Sequence, residues 1–184
     1  MKPVKIPPFL HEVFGPRSTV LEITVTGLFA IFSTVILMAG TSAEWQGYGF
    51  YQIAVVIILA LDINGGVIAN FTLSTNNHYR ENDRARLVFI ALHIQPIILA
   101  LILQNFLVPC LFIWGYTIVS SLIVNQLYTH PAQRTIGAVF MAFGLLVLVL
   151  FFIQLPTFLT VILAFYLIKV SFSFAVNHYA LREE

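Results

Sequence analysis

Asp62 and Lys169 are charged side chains in the middle of long apolar stretches, where a charge can bind a substrate or carry a proton. On a helix that rises about 1.5 Å per residue, both would lie near the centre of a bilayer. A central charge costs about 2.5–3.5 kcal/mol on insertion scales, and in an ion pair each charge relieves the desolvation of the other. The sequence therefore predicts an Asp62–Lys169 pair, which either fixes neighbouring helices or forms a substrate-binding or proton-coupling site.

Polar and small residues continue from both charges along one face of each predicted helix. The segments from Asp62 to Asn70 and from Lys169 to Asn177 each place such residues at i, i+4 and i+8. Two faces of this kind, turned toward each other, would line a cavity open to the cytoplasm. Small polar residues also hold packed membrane helices together, which is the alternative.

The Gly65-Gly66 pair follows Asp62 closely. Each glycine weakens a helix by about 1 kcal/mol relative to alanine, and it lets another group approach the backbone. A helix interrupted beside a mid-membrane charge is typical of transporter binding sites, so the pair predicts a break. Close packing against a neighbouring helix is the alternative.

His93 and Pro96 lie close together in a third apolar stretch. Pro96 cannot donate a hydrogen bond to the preceding turn, which predicts a kink and a freed carbonyl near Leu92 or His93. His93 is interpreted either as a ligand or as a hydrogen-bonded packing residue. Glu22 lies about one turn inside the first stretch, where its carboxylate can also extend to the membrane edge. The predicted substrate-binding residues are Glu22, Asp62, Asn70, His93, Lys169 and Asn177, with His178 at the same level.

Three histidines, His78, His93 and His178, are predicted on the cytoplasmic side. Three imidazoles can hold a catalytic zinc ion with an open fourth position, so an intramembrane metal-dependent lipid hydrolase is one alternative function. The sequence contains no HExxH, HxxxH, CxxC or GxSxG motif to support it. Zinc is expected as a cofactor only under this alternative.

The composition restricts which elements can position these residues. Of 184 residues, 59% are hydrophobic and 9% are charged, whereas soluble domains carry about 25% charged residues. Nine Lys and Arg against eight Asp and Glu also leave no basic field for nucleic acid. The sequence therefore predicts a protein of the lipid bilayer and excludes a soluble domain and a nucleic-acid-binding protein.

Six continuous apolar stretches predict six membrane-spanning helices. They cover residues 18–40, 47–73, 87–105, 109–128, 135–155 and 157–181. The apolar residues do not alternate with polar ones as they do in barrel strands. The predicted fold is an all-α integral membrane protein: a six-transmembrane-helix bundle with short loops and no soluble domain, in which residues 1–184 form one domain. The first stretch exceeds the 7–15 apolar residues typical of a signal peptide, so it is expected to be retained.

The positive charges predict the orientation of the bundle. They lie in residues 1–17, in the loops after the second and fourth stretches, and in the tail, whereas the other three connections contain none. The charges are Lys2, Lys5, Arg17, Arg80, Arg84, Arg86, Arg134 and Arg182. The positive-inside rule places both termini in the cytoplasm. Residues 1–17 contain four prolines, cannot form one helix, and are expected along the cytoplasmic interface.

Transport of a small solute or ion is the function that these patterns favour, with the chain acting as a carrier or as the substrate-binding subunit of one. Six short spans are few for a complete carrier, so a homo-oligomer or a partner membrane subunit is expected. A non-catalytic assembly subunit, whose polar residues only hold helices together, is the alternative.

Overall fold

The amino-terminal segment forms a short antiparallel ribbon in the structure, a computed structural model that describes residues 3–180. Strand β1 (Pro3–Lys5) pairs with strand β2 (Arg17–Thr19), and a 3-10 turn (Pro8–Leu10) and helix α1 (His11–Phe14) lie between them. The sequence predicted an irregular segment here but not its strands. Lys2 and Arg182, two of the charges used to orient the bundle, lie outside the described residues.

Six long apolar helical units follow. They are α2 (Val20–Gly40), α3 (Phe50–Ala69), the pair α5 (Asp83–Leu92) and α6 (Gln95–Leu103), α7 (Leu107–Gln126), α8 (Gln133–Phe151), and α9 (Thr157–Leu167) continued by a π-helical segment (Ile168–Phe174). A short helix, α4 (Leu73–Arg80), connects α3 to α5.

Each of the six units is long and apolar enough to cross a membrane. They confirm the predicted helical bundle and are compatible with a multi-pass membrane protein. The second unit ends at Ala69 and the sixth at Phe174, whereas the sequence predicted residues 73 and 181. In both places the helix ends before the polar residues that follow it. The cytoplasmic location of both termini stays a prediction.

The last unit lies at the centre of the bundle. Its 18 residues are 61% buried, against 17% for an 18-residue apolar stretch of α2 and of α8. Phe158, Ile162 and Tyr166 of α9 and Val170 of the π segment have no exposed surface. The apolar surface around this helix is therefore covered by protein, whereas α2 and α8 present most of theirs outward.

The third unit is interrupted at His93 and Ile94, as Pro96 predicted. His93 adopts an inverse γ-turn (φ −80°, ψ 68°), in which the Ile94 N–H donates to the Leu92 carbonyl at 2.9 Å. The carbonyl of His93 accepts a hydrogen bond from the Tyr166 hydroxyl at 2.7 Å. The break thus turns a backbone carbonyl toward the central helix.

Of the two interpretations of Gly65-Gly66, the structure agrees with close packing and not with a break, because α3 runs without interruption to Ala69 and Lys169 lies against Gly66. The irregular backbone lies instead in the sixth unit, where the π segment contains Lys169. A π-helix widens the turn to i→i+5 hydrogen bonds and is often found at functional sites. The glycines provide space rather than flexibility.

A carboxylate in the turn after α2 bonds to the start of α9, on the side of the bundle that the sequence predicts to face outward. Glu44 lies in a 3-10 turn (Ser42–Trp45) after α2. Its carboxylate accepts hydrogen bonds from the backbone N–H groups of Thr157 and Phe158, at 3.0 Å each. Partial burial opposes ionisation, but these hydrogen bonds outweigh it and lower the pKa of Glu44 below its usual value. Glu44 therefore caps the start of the central helix as an anion.

Candidate functional site

The structure brings Asp62 and Lys169 together in an ion pair. The Lys169 ammonium lies 2.9 Å from Oδ2 of Asp62, and the same oxygen accepts a hydrogen bond from the Gln95 side-chain amide at 3.0 Å. The second carboxylate oxygen, Oδ1, accepts no hydrogen bond within residues 3–180. Both contacts to Asp62 therefore use one oxygen and leave the other free.

The two partners of this pair differ sharply in exposure. The Lys169 side chain is 4% exposed, whereas the Asp62 side chain is 51% exposed. Lys169 lies in the π segment and reaches over Gly66, which follows Asp62 by one turn of α3. A Cβ atom at Gly66 would lie 2.3 Å from Cε of Lys169, so only glycine leaves room for the lysine stem.

Asp62 and Lys169 lie in the wall of a cavity of about 410 Å³. Its walls come from α2, α3, the α5–α6 break and the π segment, and residues of α1 line one end. The ionisable and amide-bearing residues in the wall are Glu12, Asp62, Asn70, His93, Gln95 and Lys169. The predicted residues Asp62, Asn70, His93 and Lys169 therefore share one cavity.

His93 and Asn70 are both held by hydrogen bonds to backbone carbonyls. His93 Nδ1 lies 2.5 Å from the Phe89 carbonyl, and its ring packs against the Phe89 ring at 3.8 Å between centroids. Because a carbonyl can only accept, Nδ1 carries a proton, and Nε2 is an acceptor when the ring is uncharged. The Asn70 amide donates to the Lys169 carbonyl at 3.5 Å. These contacts fix which atoms are left for a ligand.

Two further residues of the cavity have buried polar atoms without a partner in the described part of the chain. They are the hydroxyl oxygen of Thr26 in α2 and Oε1 of Gln95 at the start of α6. Neither residue is among those that the sequence predicts for the site. Gln95 carried a signal, since it is an amide inside an apolar stretch, but Thr26 resembles any membrane threonine.

Glu22 and Asn177 do not join this cavity. Glu22 forms a capping box at the start of α2: its carboxylate accepts the Thr19 N–H at 2.9 Å, and its own N–H donates to the Thr19 hydroxyl. Asn177 accepts a hydrogen bond from the Asn76 amide at 3.1 Å and donates its N–H to Gln133 at 3.1 Å. Both residues therefore act at helix ends, where the chain turns.

The three histidines of the predicted zinc site have separate surroundings. His78 packs beside His11 at 6.2 Å between ring centroids, whereas the His178 ring packs on Phe71 at 4.6 Å. Among residues 3–180, no group of three or more His, Cys, Asp or Glu side chains could hold a metal ion. Within these residues, the structure therefore does not bring His78, His93 and His178 together.

Arg86 is a buried charge that the sequence analysis assigned only to a loop. It is 6% exposed and lies at the start of α5, where Nε donates to Asn125 Oδ1 at 2.9 Å and Nη2 pairs with Asp83 at 2.7 Å. Its guanidinium also lies 3.8 Å from the centre of the Tyr128 ring. These contacts join the α4–α5 connection to α7.

Comparison with protein families, curated proteins and solved structures gives a plain result. No significant match exists to any of them. The cavity and its residues are therefore the observations on which a function can be based.

Proposed function

We propose that this chain is a multi-pass membrane protein that binds a small solute or ion in the Asp62–Lys169 cavity and takes part in its transport. One observation carries the proposal: Asp62 keeps one carboxylate oxygen free and is half exposed, although its partner Lys169 is almost fully buried. Neutralising Lys169 uses only Oδ2 of Asp62, so it does not account for the exposure of Asp62 or for its second oxygen, which accepts no hydrogen bond within the described residues. The free oxygen is available to a ligand instead.

The dimensions and lining of the cavity support the same function. Its volume of about 410 Å³ falls within the range of about 300–1,000 Å³ found for small-molecule sites. Apolar walls with a few converging polar groups are typical of such sites. The break before Pro96 and the π segment at Lys169 place irregular backbone at the cavity, as in many membrane transporters.

Residues of α1 bound the end of the cavity that we assign to the cytoplasm. The Thr75 hydroxyl donates to the Val13 carbonyl at 2.8 Å, and the Tyr79 hydroxyl donates to the Glu12 carbonyl at 3.2 Å. These bonds hold α1 on α4. Transport then requires either displacement of α1 or a second opening, and a second copy of the chain or a partner subunit would complete the pathway.

Three variants of the pair test the proposal: Asp62→Asn, Lys169→Met and the double variant. Each purified protein is placed in liposomes and supplied with a mixture of amino acids, amines, sugars and salts, and the retained solutes are measured by mass spectrometry and elemental analysis. We expect the wild type to retain at least one solute above protein-free liposomes. In all three variants the uptake should fall at least about tenfold. A tenfold loss of affinity for the solute corresponds to about 1.4 kcal/mol of binding free energy.

Glu81→Gln is the matched control, because its carboxylate is 77% exposed and makes only a 3.8 Å contact to Arg80. It should take up the solute like the wild type. Uptake restored by the double variant would show that the pair is structural and contradict the proposal. No uptake by the wild type, together with co-purification of another membrane subunit, would favour an assembly role.

A further inference from the structure

The polar atoms that remain free in the cavity are mainly hydrogen-bond acceptors. Asp62 Oδ1, Gln95 Oε1 and His93 Nε2 accept no hydrogen bond within the described residues. The His93 Nδ1 donor is used on Phe89, and one of the two N–H groups of the Gln95 amide is used on Asp62. A ligand that satisfies these atoms must bring its own donors.

A buried hydroxyl gives independent evidence for a ligand. Thr26 is 3% exposed, lines the cavity and leaves its hydroxyl oxygen without a partner in the described part of the chain. A helical threonine commonly bonds a carbonyl of the preceding turn, but Thr26 does not. A buried unsatisfied polar group costs about 1–3 kcal/mol, so bound water or a ligand is expected there.

The charge of the cavity favours a cation. Its wall contains the carboxylates of Glu12 and Asp62 against the single ammonium of Lys169. The Lys169 ammonium is already held by Oδ2 and, at 3.4 Å, by the carbonyl of Asp62. The positive charge of the site is therefore compensated, whereas negative charge is left over.

The walls favour an organic cation over a metal ion. Residues 3–180 contain no cluster of three metal-binding side chains. Phe14, Leu61 and Leu92 contribute apolar surface to the cavity, and Phe89 offers a ring that can contact a cation. We infer that the cavity binds a small organic ammonium ion whose N–H groups donate to Asp62 Oδ1 and Gln95 Oε1 while its carbon chain packs on these walls.

This inference names the ligand of the proposed transport site and depends on that proposal only for the cavity, since binding can be measured without transport. Purified full-length protein in detergent is titrated with four probes: n-butylammonium, n-butyltrimethylammonium, n-butyrate and potassium, each in a buffer based on a large cation. Calorimetry gives the Kd, and the shift in Tm provides a second readout. The trimethyl probe has the same charge as n-butylammonium but no N–H group.

We expect n-butylammonium to bind at least tenfold more tightly than the other three probes. Gln95→Met and Thr26→Val should each weaken it several-fold without unfolding the protein, whereas Glu81→Gln should leave the Kd unchanged. Equal binding of the trimethyl probe would overturn the role of the N–H donors. Tighter binding of butyrate or of potassium would overturn the cation class or its organic character, respectively, and leave solute transport standing. Absence of binding by all four overturns the inference, and the uptake experiment then decides the proposed function alone.

Discussion

At the scale of the residue, the exposure difference within the ion pair makes its two members unequal. Lys169 is enclosed by protein and depends on Asp62 for the compensation of its charge, whereas Asp62 reaches the cavity. Breaking a buried pair costs about 3–5 kcal/mol when it leaves an uncompensated buried charge. Replacement of Asp62 alone should therefore destabilise the protein more than replacement of Lys169 alone.

The close approach of Lys169 to Gly66 gives a test that leaves both charges in place. Gly66→Ala would put a Cβ atom 2.3 Å from Cε of Lys169 and 2.9 Å from its Nζ, which forces the ammonium away from Asp62. We expect a loss of about 1–3 kcal/mol in stability, typical of an overpacked core, together with weaker n-butylammonium binding. Thermal unfolding in detergent and calorimetry measure the two effects.

Gly115→Ala is the control for this substitution, because a Cβ atom at Gly115 in α7 meets nothing within 4 Å. It should be neutral or stabilise α7 by up to about 1 kcal/mol through helix propensity. A Gly66→Ala protein as stable as the wild type, with unchanged binding, would show that Lys169 is not constrained by that contact.

At this scale, the sequence predicts the contacts of residue types that are rare in apolar helices, such as charged side chains. Two opposite charges in apolar helices have few ways to be neutralised, so the approach of Asp62 to Lys169 could be expected from the sequence. Thr26 could not be found this way, since its role depends on which neighbours leave its hydroxyl without a partner. Glu22 lies outside the cavity because α2 begins at Val20, which places its carboxylate in the capping box with Thr19.

At the scale of the element, two irregular backbones meet beside the cavity. The α5–α6 break turns the His93 carbonyl toward the central helix, and the Tyr166 hydroxyl donates a hydrogen bond to it. Tyr166 lies less than one turn before the π segment begins. Tyr166 is completely buried, so its hydroxyl replaces the hydrogen bond that the broken helix lacks. The central helix thereby holds the break in one conformation.

Tyr166→Phe tests this contact between elements. The substitution leaves the His93 carbonyl without its side-chain partner, and an unsatisfied buried carbonyl costs about 1–3 kcal/mol. We expect the variant to have a lower Tm in detergent than the wild type. Its hydrogen exchange should become faster in α5 and α6, with a smaller change in α7.

The matched control is Tyr51→Phe, which removes an exposed hydroxyl from the start of α3. Its Tm should equal that of the wild type. Unchanged stability and exchange in Tyr166→Phe would mean that the break holds its shape without the tyrosine.

The two breaks also show what sequence can predict about an element. Pro96 lacks an N–H group, and this covalent fact determined the position of the break. Gly65 and Gly66 only permit a break, and here they lie against Ala30 and Lys169 within an uninterrupted α3. The π segment could not be predicted, because no residue type requires i→i+5 hydrogen bonding.

At the scale of the whole molecule, the predicted orientation can be tested with cysteine labelling. Cys110 is the single cysteine of the sequence and is fully buried, so it should not react in the folded protein. Gln154→Cys lies between α8 and α9, and Glu81→Cys lies between α4 and α5. A membrane-impermeant maleimide should label position 154 in intact cells and position 81 only after permeabilisation.

The unsubstituted chain serves as the control for background labelling at Cys110. Labelling of position 81 in intact cells, with position 154 protected, would reverse the orientation. The end of the cavity lined by α1 would then face outward.

The long separation between the paired charges affects how the chain is made. Lys169 lies 107 residues after Asp62, so at about 5–20 residues per second roughly 5–20 s of synthesis separate the two. During that interval the nascent α3 carries an acid whose insertion is disfavoured by about 2.5–3.5 kcal/mol. We therefore expect α3 to be held less firmly in the membrane before the sixth unit is made than after Lys169 has paired with Asp62.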